Sequence, residues 1–374
     1  MRVVLVGGGT GGHFYPLIAI SQSLLAKGAE RHSLTELYYM GPDPYDAGAL
    51  ESLGIKFVHC PAGKRRRYRS ILNFIDLFKV LWGTFVALFK LLIIYPDVVM
   101  SKGGYTSVPV TLAARFLRIP IVIHESDVNV GRANKLNARA ARYVAISYSE
   151  TAKYFEPEKT ALTGIPVRNV LLAPQTGDPA SILGLDPSLP TLLVLGGSLG
   201  AERVNNLILE SLDELLPHYS IVHQTGRDLF AAASESAKTL IPDTNLLQRY
   251  HPIAFMDPQM LNTAYHAASV VISRSGSTTI FENGIHGKPS ILIPIPEEIS
   301  HDQRTNAYAY ARKGAAIVME EGNLQDGLLT AEIARIMKDQ SLYKEMADAA
   351  RAFAPRDAAA KVADILIRIG DEHS

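Results

Sequence analysis

The stretch Gly7-Gly8-Gly9-Thr10-Gly11-Gly12-His13-Phe14-Tyr15-Pro16 follows directly on the apolar run Val3-Val4-Leu5-Val6. Five glycines around one threonine let the backbone pass very close to a bulky group. The pattern predicts a helix starting near Pro16-Leu17, with its unpaired N–H groups aimed at the loop. A strand, glycine loop and helix in this order make an anion site suited to phosphate or diphosphate. His13 stands at the mouth of the loop, where a side chain of intermediate basicity can exchange a proton.

Gly7, Gly9 and Gly12 also fit the G-x-G-x-x-G dinucleotide fingerprint, a weak pattern alone. That fingerprint needs an acid at the tip of the second strand to hold a ribose. The second strand is expected at Leu37–Met40, and it runs into Gly41-Pro42 with no acid there. A nicotinamide enzyme is therefore a secondary reading.

A chain of 374 residues is long enough for two domains. Lys+Arg and Asp+Glu both total 37, but residues 1–165 carry 20 basic and 12 acidic side chains, and residues 166–374 carry 17 and 25. The N-terminal half is thus the one expected to meet an anionic surface or substrate. The lone Cys60 excludes an intrachain disulfide and suits a reducing cytoplasm. The apolar run after Met1 is too short for a signal peptide and reads as a first strand. Nothing in the composition points to nucleic acid.

Short apolar β-branched runs alternate with helical patterns, which predicts parallel sheets covered on both faces. The motif restarts at Leu192-Leu193-Val194-Leu195-Gly196-Gly197-Ser198-Leu199-Gly200-Ala201, after a loop-like stretch at 173–179. The expected class is α/β, with two doubly wound Rossmann-like domains facing a central cleft. The expected domains are 1–165 and 166–352, with helix 353–374 packing back on the first. Ligands of such sheets sit outside the carboxyl ends of the strands, where both glycine loops fall.

Gly8–Pro16, Lys102–Pro109, His124-Glu125-Ser126-Asp127, Gly164–Arg168, Gly196–Ala201 and Arg274–Glu282 together resemble the MurG family. These are bacterial GT-B glycosyltransferases that carry N-acetylglucosamine from its UDP-sugar to membrane-bound lipid I, making lipid II for peptidoglycan. The resemblance implies an N-terminal acceptor domain, a C-terminal donor domain and an inverting single displacement, with roles in cell-wall biogenesis, cell shape and division. It makes His13 the proposed base, with a merely loop-bonding histidine as the alternative. Gly11, Gly12, Gly103, Gly104 and Tyr105 would cradle the acceptor diphosphate with His13, although each glycine could also serve a tight turn. On the donor side it implies Thr10, Gly11, Gly12 and Asp127, with Ser198 at the phosphates and Glu282 at the ribose and counted with the catalytic pair. Phe255 and Met256 would seat uracil, core packing being equally open for Phe255. Arg168 would stand near the base or hinge, a surface ion pair being its bland counterpart. Gln303 and Asn306 would read sugar hydroxyls, which side-chain amides suit. Many members have Gln-Asn at Ser126-Asp127, glutamine at Leu199 and histidine at Asp302.

Residues 64–94 start with a basic cluster, Lys64-Arg65-Arg66-Arg67-Tyr68-Arg69, followed by a long apolar helical pattern. Asn73, Asp76, Lys79, Gly83, Ala87 and Lys90 form one narrow polar stripe, and apolar surface is left over around it. The uninterrupted run from Val80 to Phe89 is far below the roughly 20 residues a bilayer span needs. We therefore expect a peripheral contact with the anionic cytoplasmic face of the cell membrane, through Arg65, Arg66, Arg67, Phe74, Phe78, Trp82 and Phe85. A helix buried on both sides is the alternative. Expected partners are UDP-N-acetylglucosamine, lipid I, the membrane surface and other cell-wall assembly proteins. No Asp-x-Asp or His/Cys cluster marks a metal, so neither metal nor cofactor is expected. Another GT-B glycolipid synthase, a UDP-sugar epimerase and a non-catalytic sugar-nucleotide-binding envelope protein are the rival readings.

Overall fold

A computed structural model of the chain describes residues 1–63, 72–197, 201–300 and 302–373, with residues 72–75 and 373 as backbone only. Arg65, Arg66, Arg67 and Ser198 lie outside the described residues, and of Phe74 only the backbone is described. The chain divides into two compact units, 1–169 with 356–374, and 170–355. The divisions fall a few residues beyond those expected at 165/166 and 352/353. Arg168 consequently belongs to the first unit, held there by its contact with Tyr15.

The first unit is built on a seven-stranded parallel sheet of β1 (Arg2–Val6), β2 (Glu36–Gly41), β3 (Lys56–His59), β4 (Val98–Ser101), β5 (Ile121–Glu125), β6 (Tyr143–Ile146) and β7 (Thr160–Leu162). Their order across the sheet is 3-2-1-4-5-6-7. The second unit has six parallel strands, β8 (Thr191–Leu195), β9 (Ser220–Gln224), β10 (Tyr250–Ile253), β11 (Ala268–Ser273), β12 (Ser290–Leu292) and β13 (Ala316–Val318), in the order 10-9-8-11-12-13. β1, β4, β5 and β8 each carry at least three consecutive buried apolar residues because helices cover both faces of each sheet. β3, β7, β10 and β13 lay beyond the sequence expectation. They are short or polar, and all four lie at sheet edges, where continuous hydrophobicity is not required.

The last helix, Ala358–His373, packs in the first unit against the helix Gly11–Glu30. Val362, Ala363, Leu366 and Ile369 recur at helical spacing and enter the core formed with Leu17, Ile20 and Leu24. Lys27–Asp364 at 2.8 Å and Arg31–Asp371 at 2.7 Å flank this seam, but both pairs face solvent and add little. Docking of the last helix is thus an apolar effect.

The helix Leu72–Ile94 is amphipathic in the reverse sense. Asp76, Gly83, Ala87, Leu91 and Ile94 turn inward, and a Cβ at Gly83 would collide with the Pro61 carbonyl. Its outward face carries Phe78, Leu81, Trp82, Phe85, Phe89, Leu92 and Ile93, each at least half exposed. Gly83 and Ala87 of the expected polar stripe are therefore the small-residue seam that lets the helix lie close on the unit, with Asp76 buried beside them, while Lys79 and Lys90 stay in solvent. One expectation is corrected: Asp76–Ile94, with mean hydropathy 2.0, is long and apolar enough to cross a bilayer by length and composition. Counting only the uninterrupted run missed this, because Lys79 and Lys90 are diluted over 19 residues. The helix is docked along Ser107–Phe116 in the same unit.

Leu366→Ala should lower stability by about 2–5 kcal/mol in chemical denaturation, since it empties a fully buried site. Asp364→Ala should cost less than about 1 kcal/mol.

Candidate active site

β1 lies between β2 and β4, so the order in which strands are added reverses there and the loops after β1 and β4 flank the switch point. The loop after β4 comes back over the first. A Cβ at Gly104 would lie 3.2 Å from the Gly8 carbonyl oxygen and 3.7 Å from His13 Nδ1. Gly104 has φ +76 and Gly103 φ +85, and a Cβ at Gly103 would collide with the Asn134 amide. Left-handed backbone and this crowding together demand glycine at both positions.

The first helix begins at Gly11, not near Pro16, which lies inside it. Pro16 is the sixth residue of the helix and has no N–H to offer the Gly12 carbonyl, which is left without that intrahelical donor. His13 therefore stands on the first helical turn. Thr10 is the N-cap but gives the helix no side-chain cap. Its hydroxyl instead meets His13 Nδ1 at 2.9 Å. The amides of Gly11 and Gly12 lack intrahelical acceptors at this end, so they point into the loop with the positive end of a 20-residue helix behind them. When Nδ1–H donates to Thr10 Oγ1, Nε2 carries the free lone pair that a base needs.

His13 is half-buried, and its pKa falls to about 4. Desolvation is the main cause; Lys102 adds to it and Asp127 opposes it. The imidazole is thus neutral at physiological pH. Lys102 is 1% exposed at the end of β4, and its ammonium bonds Ser126 Oγ. Burial brings its pKa down to about 8, with Glu125 and Asp127 opposing.

Glu125, the last residue of β5, organises the third loop. Its carboxylate accepts from the amides of Ser126 at 2.8 Å, Asp127 at 3.1 Å and Gly131 at 3.0 Å, and from Asn134 Nδ2 at 3.0 Å. Burial, then the charge of Asp127, raises its pKa. His124 is fully buried, and its Nε2 meets the Gly164 carbonyl at 2.8 Å. Beside the glycine loop, the Arg168 guanidinium lies 4.3 Å from the Tyr15 ring centre, and Tyr15 donates to Asp46 at 3.3 Å. Tyr105 closes over Gly9, where a Cβ would come within 2.9 Å of its ring.

The structure thus gathers Thr10, Gly11, Gly12, His13, Gly103, Gly104, Tyr105 and Asp127 around one strand-end cluster in the first unit. Lys102, Glu125 and Asn134 belong to it but were not singled out from sequence. The signal was present: Lys102 precedes the Gly-Gly pair, and Glu125 sits within the quoted His-Glu-Ser-Asp motif.

In the second unit, Gly196 and Gly197 follow β8, and the helix Glu202–Glu210 starts just beyond the undescribed 198–200. A Cβ at Gly197 would meet open space. Phe255 is 38% exposed, with the Arg227 guanidinium 4.7 Å from its ring centre, so it is not core packing. Met256 is buried, and its amide already donates to Gln224 Oε1 at 2.9 Å. Gly276 opens the helix Ser277–Ile285 without a side-chain cap. Glu282 on that helix is only 7% exposed, and its carboxylate faces the Tyr265 hydroxyl. Arg274 pairs with Glu321 at 2.5 Å and donates to the Ile293 carbonyl. Ser275 donates to the Gln303 carbonyl at 2.9 Å, and Gln303 Oε1 accepts from Ile295 N at 3.3 Å. That leaves the Gln303 amide nitrogen as a donor. Asn306, three residues on, is 1% exposed. A cavity of about 350 Å³ lies between segments 294–298 and 320–322, beside Arg304, and none of the expected donor residues lines it. Among the described residues no group of three or more His, Cys, Asp or Glu has metal-binding proximity.

Comparison with known proteins gives concordant matches. The profile of the glycosyltransferase family 28 N-terminal domain matches residues 3–146, and that of the family 28 C-terminal domain matches 191–363. A Treponema denticola protein is 35% identical, covering 97% of this chain and 96% of that protein. One from Lachnospira eligens is 36% identical, covering 91% and 92%. Both are named UDP-N-acetylglucosamine–N-acetylmuramyl-(pentapeptide) pyrophosphoryl-undecaprenol N-acetylglucosamine transferase. The crystal structure of Acinetobacter baumannii MurG superposes with a TM-score of 0.75 at 24% identity, covering 98% of this chain and 99% of that one. A UDP-GlcNAc 2-epimerase from Neisseria meningitidis bound to UDP-GlcNAc reaches 0.67 at 14% identity, covering 98% and 100%. These two likenesses show the fold, which is GT-B.

The electrostatics of His13 yield a direct expectation. An NMR titration of the labelled imidazole should give a midpoint near 4, and Asp127→Asn should move it lower, because Asp127 favours the charged ring. Histidine protonation should then cost no activity between pH 8 and about 5. Thr10→Val should cut kcat about tenfold, and Thr10→Ser should restore it.

Proposed function

We proceed from the matches above, by which the chain belongs to glycosyltransferase family 28, and propose that it makes lipid II. It transfers N-acetylglucosamine from UDP-N-acetylglucosamine to the muramyl 4-hydroxyl of the undecaprenyl-diphosphate-linked pentapeptide, lipid I. One observation carries this reading: a neutral imidazole is presented on a helical first turn beside uncapped amides, in a chain that relatives with this named activity match end to end. The acceptor hydroxyl attacks C1 of the sugar as its proton passes to His13 Nε2. The bond from C1 to the diphosphate oxygen breaks, and the electron pair leaves with UDP. A single displacement of this kind inverts the anomeric centre.

Gly11, Gly12, Gly103, Gly104 and Tyr105 hold the acceptor diphosphate in the first unit, with Thr10 orienting His13 and Asp127 meeting the sugar. In the second, Glu282 takes the ribose hydroxyls, Phe255 and Met256 seat the base, Ser198 meets the phosphates, and Gln303 and Asn306 read the sugar. Arg168 stands near the hinge. The departing charge is met by loop amides and helix N-termini, and the reaction is proposed to need no metal. Support for peripheral attachment to the membrane comes from the reversed helix, whose exposed Trp82, Phe85 and Phe89 rings pack on one another, with centroids 5.7 and 4.8 Å apart.

Transfer of radiolabelled sugar from UDP-N-acetylglucosamine to a short-chain lipid I analogue tests the activity. Labelled disaccharide lipid is expected from wild type and at least about tenfold less from Glu282→Ala. No transfer by folded wild type would refute the reading. Trp82→Ser with Phe85→Ser should weaken binding to vesicles containing phosphatidylglycerol and leave transfer to the soluble analogue intact.

A further inference from the structure

Lys102 is buried more deeply than any other lysine or arginine described, yet the displacement above gives it no task. Its position is well determined: the amide donates to the Val6 carbonyl at 2.8 Å, and its Cβ lies where a Cβ at Gly7 would collide. The side chain passes beneath the glycine loops to Ser126 on the third loop. Among the described residues, Ser126 Oγ is the one hydrogen-bond partner of the ammonium, and Lys102 is the one partner of that hydroxyl. An ammonium only donates, so Ser126 Oγ must accept. The hydroxyl proton is then directed away from Lys102, with no acceptor among the described residues, at the carboxyl end of β5. A buried donor without an acceptor is costly unless a ligand supplies one.

We propose that Lys102 and Ser126 form a polarised donor pair for an oxygen of the acceptor's diphosphate, Ser126 making the contact and Lys102 positioning its proton. The proposal rests on the transferase reading and adds to it two residues outside the glycine loops. An anionic oxygen fits because His13, on the helical turn that carries the Gly11 and Gly12 amides, feels the charge of Lys102, and that helix end is positive. Glu125 does not compete, since its carboxylate already accepts four hydrogen bonds from the loop and Asn134. Asp127 brings negative charge to the same corner, and the Lys102 ammonium offsets it.

Titration gives the pair a signature. Lys102 faces Glu125 and Asp127 on the β5 side, His124 in β5 and His13 on the first helix. Above its lowered pKa of about 8 the free amine can accept the hydroxyl proton, and the outward donor is lost. Acceptor affinity should therefore fall as pH rises through about 8.

The test measures binding of a short-chain lipid I analogue, UDP-N-acetylglucosamine and inorganic pyrophosphate to wild type, Ser126→Ala and Lys102→Met. Each variant should bind the lipid I analogue about tenfold or more weakly, with unchanged UDP-sugar affinity and no dependence on pH near 8. Retained UDP-sugar affinity also shows that a variant is folded; Ser126→Ala removes a single oxygen and decides the matter if Lys102→Met does not fold. Wild-type acceptor affinity in Ser126→Ala overturns the proposal. So does a loss confined to the UDP-sugar. If wild type binds no lipid I analogue but its pyrophosphate affinity still depends on Ser126, the transferase reading falls and the donor pair stands.

Discussion

The close approach of two backbones, Gly104 over Gly8 and His13, is the constraint on which the first unit's chemistry depends. It requires glycine at 103 and 104, because left-handed φ coincides there with contact from Asn134 and the first loop. Such an approach leaves main-chain amides as the groups that face a ligand, and an amide donates without needing a counterion. It also crowds water away from His13 and Lys102. Desolvation is the leading cause of both lowered pKa values, so the imidazole is neutral and the ammonium sits nearer its titration range.

Much of this was legible because glycine is informative where it clusters. The strand–glycine loop–helix motif at residues 3–16 and its repetition after Leu195 gave the two parallel sheets, and the six separated motifs gave the family. Helix starts were less readable. The Pro16 signal pointed five residues too late, since the helix carries this proline as its sixth residue and not at its start. Lys102 and Glu125 escaped notice for a different reason. Their importance comes from burial and partners, and a lysine beside glycines or a glutamate at a strand end has no sequence signature for either.

The helix Leu72–Ile94 shows how a periodicity can be read from sequence while the packing behind it is not: Phe78, Trp82 and Phe85 face outward as expected. Its small and polar positions recur as expected, but Gly83 and Ala87 face the protein because only small residues allow that close packing. The large apolar side chains are consequently on the outside, which is the feature the proposed membrane attachment rests on. The last helix is the opposite case. Its apolar stripe faces inward and returns the end of the chain to the first unit.

Epimerases and transferases share this fold at similar TM-scores, so the reaction itself separates them. The most direct measurement is NMR analysis of the products formed from UDP-N-acetylglucosamine and a short-chain lipid I analogue. A single displacement predicts one new β-(1→4) linkage to the muramyl sugar, with UDP released in equal amount. An α linkage, or a 2-epimerised UDP-sugar formed without consumption of the acceptor, would contradict the account.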